Sequence, residues 1–327
     1  MNADPMRARA LTMLTLTALL WGFSFPVLKA IALIHEHLIP GGGSWFITAW
    51  SVAPRFIIAG VILAAVIVPK LAGLTRLEFK QGTGMACFLT LGLFFQVDGL
   101  QHTSASVSAF LTQVYVVLIP LYFAVKWRRW PRWIVMAACL LVLAGIAILA
   151  RIDLRDLRLG RGEAETLLGS VFFTGQILWL ERPRFAGNNP LRMTFVMFAW
   201  IAFAATAAAL ALAPESSALL VPWTDPGWLG LTLVLAVVCT LFCFVAMNRW
   251  QPHITSTEAG LIYSLEPVSV AVLALFLPGA ISALTGAGYA NEELTWHLVA
   301  GGALITAANL LIVLRKPRPP PPGMSVD

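Results

Sequence analysis

The sequence predicts an all-α membrane protein in which ten transmembrane helices form two inverted five-helix repeats. Three observations lead there: a large excess of apolar over charged residues, a succession of ten apolar segments, and a self-similarity at one fixed offset. Of the 327 residues, 59% are apolar and only 12% charged, whereas a soluble domain normally has about a quarter of its residues charged. Too few charges remain to cover a water-soluble surface, so the chain is polytopic. The formal charge of +6 does not argue for nucleic acid, because the basic residues lie at the ends of apolar segments, where they orient a membrane protein.

A membrane-spanning helix needs about 20 predominantly apolar residues. That criterion marks residues 11–34, 45–69, 82–101, 104–125, 131–150, 164–182, 191–213, 227–249, 256–278 and 295–314. The first segment follows Arg7 and Arg9 and imitates a signal peptide, but its apolar run from Leu11 to Ile34 is too long and no small-residue site closes a short core. It is read as a span. Short turns separate most segments, so neighbouring helices are expected to run antiparallel. Residues 1–10 form a cytoplasmic N-terminus and 315–327, opening RKPRPPPPG, a disordered cytoplasmic tail.

The basic residues test this layout. With the N-terminus inside, sixteen of the 22 fall on the cytoplasmic side: Arg7, Arg9, Lys70, Arg76, Lys80, Lys126, Arg128, Arg129, Arg132, Arg182, Arg184, Arg192, Arg249, Arg315, Lys316 and Arg318. Four fall outside, all in the connecting loop 151–163: Arg151, Arg155, Arg158 and Arg161. Lys29 and Arg55 lie within spans. The positive-inside rule favours this orientation, with the arginine-rich loop as its exception.

Laid over itself at an offset of 152, the chain pairs HTSAS (102–106) with ITSTE (254–258), and LLWGFSFPVLKA (19–30) with VFFTGQILWLER (171–182). One offset thus divides the ten spans into repeats at 11–150 and 164–314. Five is odd, so the halves must have opposite orientation, an architecture shared by many secondary transporters.

Polar residues within the spans locate a candidate site. At 1.5 Å per residue, Glu266 in YSLEPVSV (263–270) lies roughly 15 Å into its helix, near the midplane of a core ~30 Å thick. Arg55, Gln113 and Gln176 fall at similar depth in three other helices. A charge at the centre of a bilayer costs about 2.5–3.5 kcal/mol even on the lenient scale, so these groups should face a shared cavity. Proline adds to the argument, because it leaves the carbonyl four residues earlier without its amide. Pro267 frees that of Tyr263, Pro54 that of Trp50 beside Arg55, and Pro26 that of Gly22. Interrupted backbone of this kind belongs where protein or a wet cavity satisfies it.

Plainer readings stand beside these. Glu266 and Arg55 would form a structural ion pair, or Glu266 would stay protonated and only donate a hydrogen bond. Lys29 would snorkel, Asp98 would cap a helix or line an entrance, and Glu181 would mark the cytoplasmic boundary. Trp45, Trp127, Trp130, Trp133, Trp223, Trp228, Trp250 and Trp296 flank spans as interfacial belts do. Trp21 sits mid-span beside Gly22, and serves either substrate stacking or helix packing. Cys239 and Cys243 share a helix face without a His or acidic partner at ligand spacing, and read as small buried hydrophobes, as do Cys87 and Cys139. His35, Glu36 and His37 read as a solvated loop. No metal, cofactor or nucleotide-binding loop is expected.

The stretches ALLWGFSFPVLKA (18–30), APRFIIAGVIL (53–63), HTSASVSAFLT (102–112) and TSTEAGLIYSLEPVSVAVLALF (255–276), in this order and spacing, resemble the EamA-type transporters of the drug/metabolite transporter superfamily. The resemblance runs from about Leu11 to Leu314. It implies a bacterial inner-membrane exporter of amino acids, other metabolites or toxic compounds, both termini cytoplasmic, with a central cavity between the halves. The chain departs from the family in three places. Lys126 stands near the glutamate usual after the fourth helix, Glu292 and Glu293 come late in an extended loop after the ninth, and Tyr115 replaces a proline, with Pro120 further on. The expected substrate-binding set is Trp21, Ser24, Arg55, Gln113, Tyr115, Gln176, Tyr263 and Glu266, with Glu266 also coupling protons. The expected partners are a small-molecule substrate and the lipid bilayer, the working unit a monomer or homodimer. A membrane-embedded enzyme on lipid-linked substrates is the alternative from another class.

Overall fold

Apolar runs that must satisfy every backbone amide without water fold as helices, and helices are what form. The computed structural model describes residues 5–126, 128, 133–149, 159–254 and 256–313. Trp127, Arg129, Trp130, Arg132, the loop arginines Arg151, Arg155 and Arg158, and the tail from 315 lie outside the described residues. In chain order the elements are α1 (Pro5–Leu38), α2 (Ser44–Leu71), α3 (Arg76–His102), α4 (Ala105–Thr112), α5 (Tyr115–Lys126), α6 (Trp133–Leu149), α7 (Arg161–Leu180) and α8 (Pro190–Leu212). There follow α9 (Pro226–Val234), a π-helical segment (Leu235–Phe242), α10 (Cys243–Trp250), α11 (Ser256–Tyr263), α12 (Leu265–Leu273), α13 (Leu277–Thr285) and α14 (Trp296–Val313). No strand occurs among the described residues.

Local sequence sets the boundaries. Thr75 accepts from the Glu78 amide while Glu78 accepts from the Thr75 amide, a reciprocal cap that starts α3. Ser104 caps α4 through the Val107 amide, and Asn189 and Asp225 cap α8 and α9, each followed by a proline that suits the first helical turn.

Among the described residues, six stretches are long and apolar enough to cross a membrane: Met6–Leu38, Ser44–Leu71, Arg76–His102, Ala105–Lys126, Pro190–Leu212 and Pro226–His253. A seventh arises if α12 and α13, bent by 56°, count as one. The chain is therefore an all-α, multi-pass membrane protein. Helices α6 and α14 are shorter, and α7 opens with Arg161, Glu163 and Glu165, which lower its apolar content.

Two features depart from the expected segments. The segment 256–278 breaks at Ser264 and ends at Leu273, and its supposed loop begins with α13. LPGAISALT has Pro278 in its first turn and Gly286, in the left-handed conformation at φ 71°, to end it. The segment 227–249 carries the π turn, which hydropathy does not reveal.

Packing brings the two halves of the chain together throughout. Helix α3 lies against α7 and α8, α2 against α8 and the π segment, α6 against α14, and α1 against α12, α10 and the π segment. Glycine permits the closest of these approaches. A Cβ on Gly22 would stand 2.6 Å from the Ser269 Cβ on α12, and one on Gly99 would stand 2.7 Å from the Gly162 carbonyl on α7.

Several single residues also differ from expectation. His35 is wholly buried at the end of α1 between Phe46 and Trp228, because α1 runs on to Leu38 instead of ending in a loop. Trp228 is likewise buried, not interfacial, since the 3-10 turns before α9 fold Trp223 over it. Lys29 does not snorkel; its ammonium donates to the Thr103 carbonyl.

Candidate functional site

The interrupted helices converge on one cavity. Its volume is about 70 Å³, room for a few waters. Seven expected residues line it: Trp21, Ser24, Arg55, Tyr115, Gln176, Tyr263 and Glu266. Gln113 is the exception. It is fully buried behind the wall, and its Nε2 donates to the Tyr263 carbonyl at 2.9 Å and reaches Glu266 Oε2 at 3.4 Å. Its main partner is thus the carbonyl that Pro267 strips of its own amide. The side chain that satisfies it comes from the break between α4 and α5.

Arg55 and Glu266 do not form the ion pair that a structural reading required. The Arg55 Nε donates to the Thr240 hydroxyl at 3.0 Å, and its Nη1 is buried without a partner. The two residues are 3% and 6% exposed. A guanidinium and a carboxyl group therefore share one cavity without pairing, and the guanidinium keeps a nitrogen without a partner. Unsatisfied buried charge of this kind is costly and points to a ligand.

The remaining expected residues divide by how they are engaged. The Ser24 hydroxyl donates to the Trp21 carbonyl at 2.7 Å, within its own helix, so it offers the cavity an acceptor. Gln176 has only the Met247 sulfur at 3.8 Å, a weak partner that leaves its amide available. Trp21 is tied in place: its indole donates to the Cys239 carbonyl at 3.1 Å and its ring packs on Tyr263 and Phe244. Sequence reasoning missed Gln96 and Thr112, which bond one another at 3.0 Å in the wall, and Thr240. Mid-helix polarity signals the first two; nothing in the apolar run around Thr240 singles it out. Phe25, Leu28, Leu89, Leu93, Phe173 and Ile177 supply an apolar side.

Polar contacts link the helices towards each end. Towards the expected cytoplasmic end, the Tyr263 hydroxyl donates to Gln251, whose amide donates to Glu181, each at 2.9 Å. At the other end Glu292 accepts from the Ala105 amide at 2.7 Å, so the loop after α13 caps α4. Nearby Tyr289 is 7% exposed, and burial raises its phenol above the ordinary pKa.

Asp98 is fully buried and paired with Arg161 at 2.5 Å, not a simple entrance residue, because α7 brings Arg161 over it. Asp98, His102 and Glu165 would offer ligand atoms within 4.8 Å of one another. The guanidinium already on Asp98 opposes a cation there. Cys239 and Cys243 donate to the Leu20 and Thr17 carbonyls, at 3.3 and 3.9 Å, in keeping with packing roles.

No family model matches the chain. It superposes on a protein of known crystal structure with a TM-score of 0.53 at 18% identity, covering 91% of this chain and 96% of that one, a likeness of fold alone. In sequence it is 30% identical over 274 residues to an uncharacterized transporter of Archaeoglobus fulgidus, 81% of this chain and 78% of the relative. This chain belongs to the same family as that transporter.

Proposed function

We propose that the protein is a secondary carrier that exports small zwitterions, amino acids or close relatives, across the inner membrane by alternating access. The observation that carries this reading is that Arg55 and Glu266 share one cavity without pairing with each other, Arg55 Nη1 being left without a partner. A guanidinium nitrogen without a partner suits a carboxylate, and an acid without a counter-ion suits an ammonium or a transported proton. The apolar wall suits the substrate side chain. It equally suits a hydrophobic drug, but such a ligand gives Arg55 nothing to bind. A family that includes a transporter favours a carrier over an enzyme on lipid-linked substrates.

The ten-span inverted repeat is part of the proposal, as is the EamA resemblance. Numbering the expected spans one to ten, exchange of the halves turns the contact of three with six into that of eight with one. It likewise turns three with seven into eight with two, and one with nine into six with four; all these pairs are in contact. The helix breaks at Gln113–Val114 and Ser264 also fall within one or two residues of each other at the offset of 152. Rocking of one half against the other is the motion such an arrangement allows.

Proteoliposomes with an imposed pH gradient test the proposal. Native protein should accumulate labelled amino acids, and Glu266→Gln should lose gradient-driven accumulation. Unchanged accumulation in the variant would remove proton coupling from Glu266. Absence of flux for every amino acid would remove the substrate class.

A further inference from the structure

The π-helical segment does more than lengthen a span. A π turn widens the helix by one residue, displaces the side chains that follow and occurs often at functional sites. Here it lies across α2 and α1, and two of its residues reach the cavity's polar groups. Thr240, fully buried, accepts from the Arg55 Nε at 3.0 Å, and the carbonyl of Cys239, one residue earlier, accepts from the Trp21 indole at 3.1 Å. The adjoining α10 presents Phe244 against Trp21 and Met247 against Gln176. Of the guanidinium nitrogens, Nη1 is buried without a partner. A guanidinium is planar, so a bond at Nε fixes the plane in which the Nη hydrogens lie.

Resting on the carrier reading above, we propose that Thr240 is a positioning residue for substrate recognition: its hydroxyl holds Arg55 so that the guanidinium meets a carboxylate, and it thereby makes the carrier selective for carboxylate-bearing zwitterions. The hydroxyl acts through Arg55 and does not touch substrate. A threonine serves because its second branch, a methyl, packs in the apolar helix interface while the oxygen points one way.

The test compares L-leucine and L-phenylalanine with their carboxamides, which keep the ammonium and the side chain but lose the anionic group. Transport by native protein, Thr240→Val and Thr240→Ser is measured in proteoliposomes, with monodispersity in detergent as the control for folding. The native carrier should take the acids at least tenfold better than the amides. Thr240→Val, which keeps the volume and loses the oxygen, should raise KM for the acids about tenfold with kcat little changed, and leave the amides unaffected. Thr240→Ser should restore native behaviour. An equal loss for acids and amides, or no change for either, would overturn the proposal while leaving the carrier reading intact. If native protein moves neither acid nor amide, the amino-acid substrate class fails first and the role of Thr240 falls with it.

Discussion

At the scale of single residues the site is governed by orphaned backbone. The Tyr263 carbonyl loses its helical partner to Pro267 and gains Gln113 at 2.9 Å. Removing that donor leaves a buried acceptor unsatisfied, which costs about 1–3 kcal/mol. Gln113→Leu should therefore lower the melting temperature of the detergent-purified protein, and combining it with Pro267→Ala, which supplies an amide, should recover most of the loss. Additive losses in the double variant would show that Pro267 and Gln113 are not coupled through this carbonyl. Gln113 was legible in the sequence as a polar group at mid-span, yet its main role was not. Depth along a helix says which residues share a level; it does not say which face the cavity and which turn back to repair the chain.

Whole elements obey packing more than polarity. The approach of α1 to α12 depends on Gly22, whose added Cβ would stand 2.6 Å from that of Ser269. Gly22→Ala should destabilise by about 1–3 kcal/mol, as overpacking does, and Ser269→Gly in the same chain should relieve it; thermal unfolding of the three proteins decides. Hydropathy located the described helices because an apolar run of sufficient length has few other ways to satisfy its backbone. It missed α13 and the π turn for different reasons. The sequence LPGAISALT is short and has a proline as its second residue, so it reads as a loop until Gly286 is seen to end a helix. The π turn leaves no trace, since LAVVCTLF is as apolar wound one way as the other.

For the molecule as a whole, sidedness is the open quantity of the proposal. Cysteines placed singly at Thr75 and Ser217, in a chain cleared of its four native cysteines, should differ in labelling by a membrane-impermeant maleimide on intact cells. Ser217 is expected to react and Thr75 to be shielded; the reverse pattern would invert the topology. The convergence of seven expected residues on one cavity was legible because charges and prolines are expensive in a bilayer and must find each other. The separation of Arg55 from Glu266 was not, since two opposite charges at equal depth read first as a pair.

The π turn has a consequence for how the chain tolerates insertion and loss. A π segment is an α-helix carrying one residue more than its length requires, so a one-residue deletion within 235–242 would leave the apolar character intact and pass unnoticed in any hydropathy profile. It would nevertheless rewind the segment as an ordinary α-helix and change which of its groups face α1 and α2. The Thr240 hydroxyl and the Cys239 carbonyl would leave their partners together. Between relatives that share this fold, a single gap placed there would separate carriers with this recognition site from carriers without it, while every span still aligned.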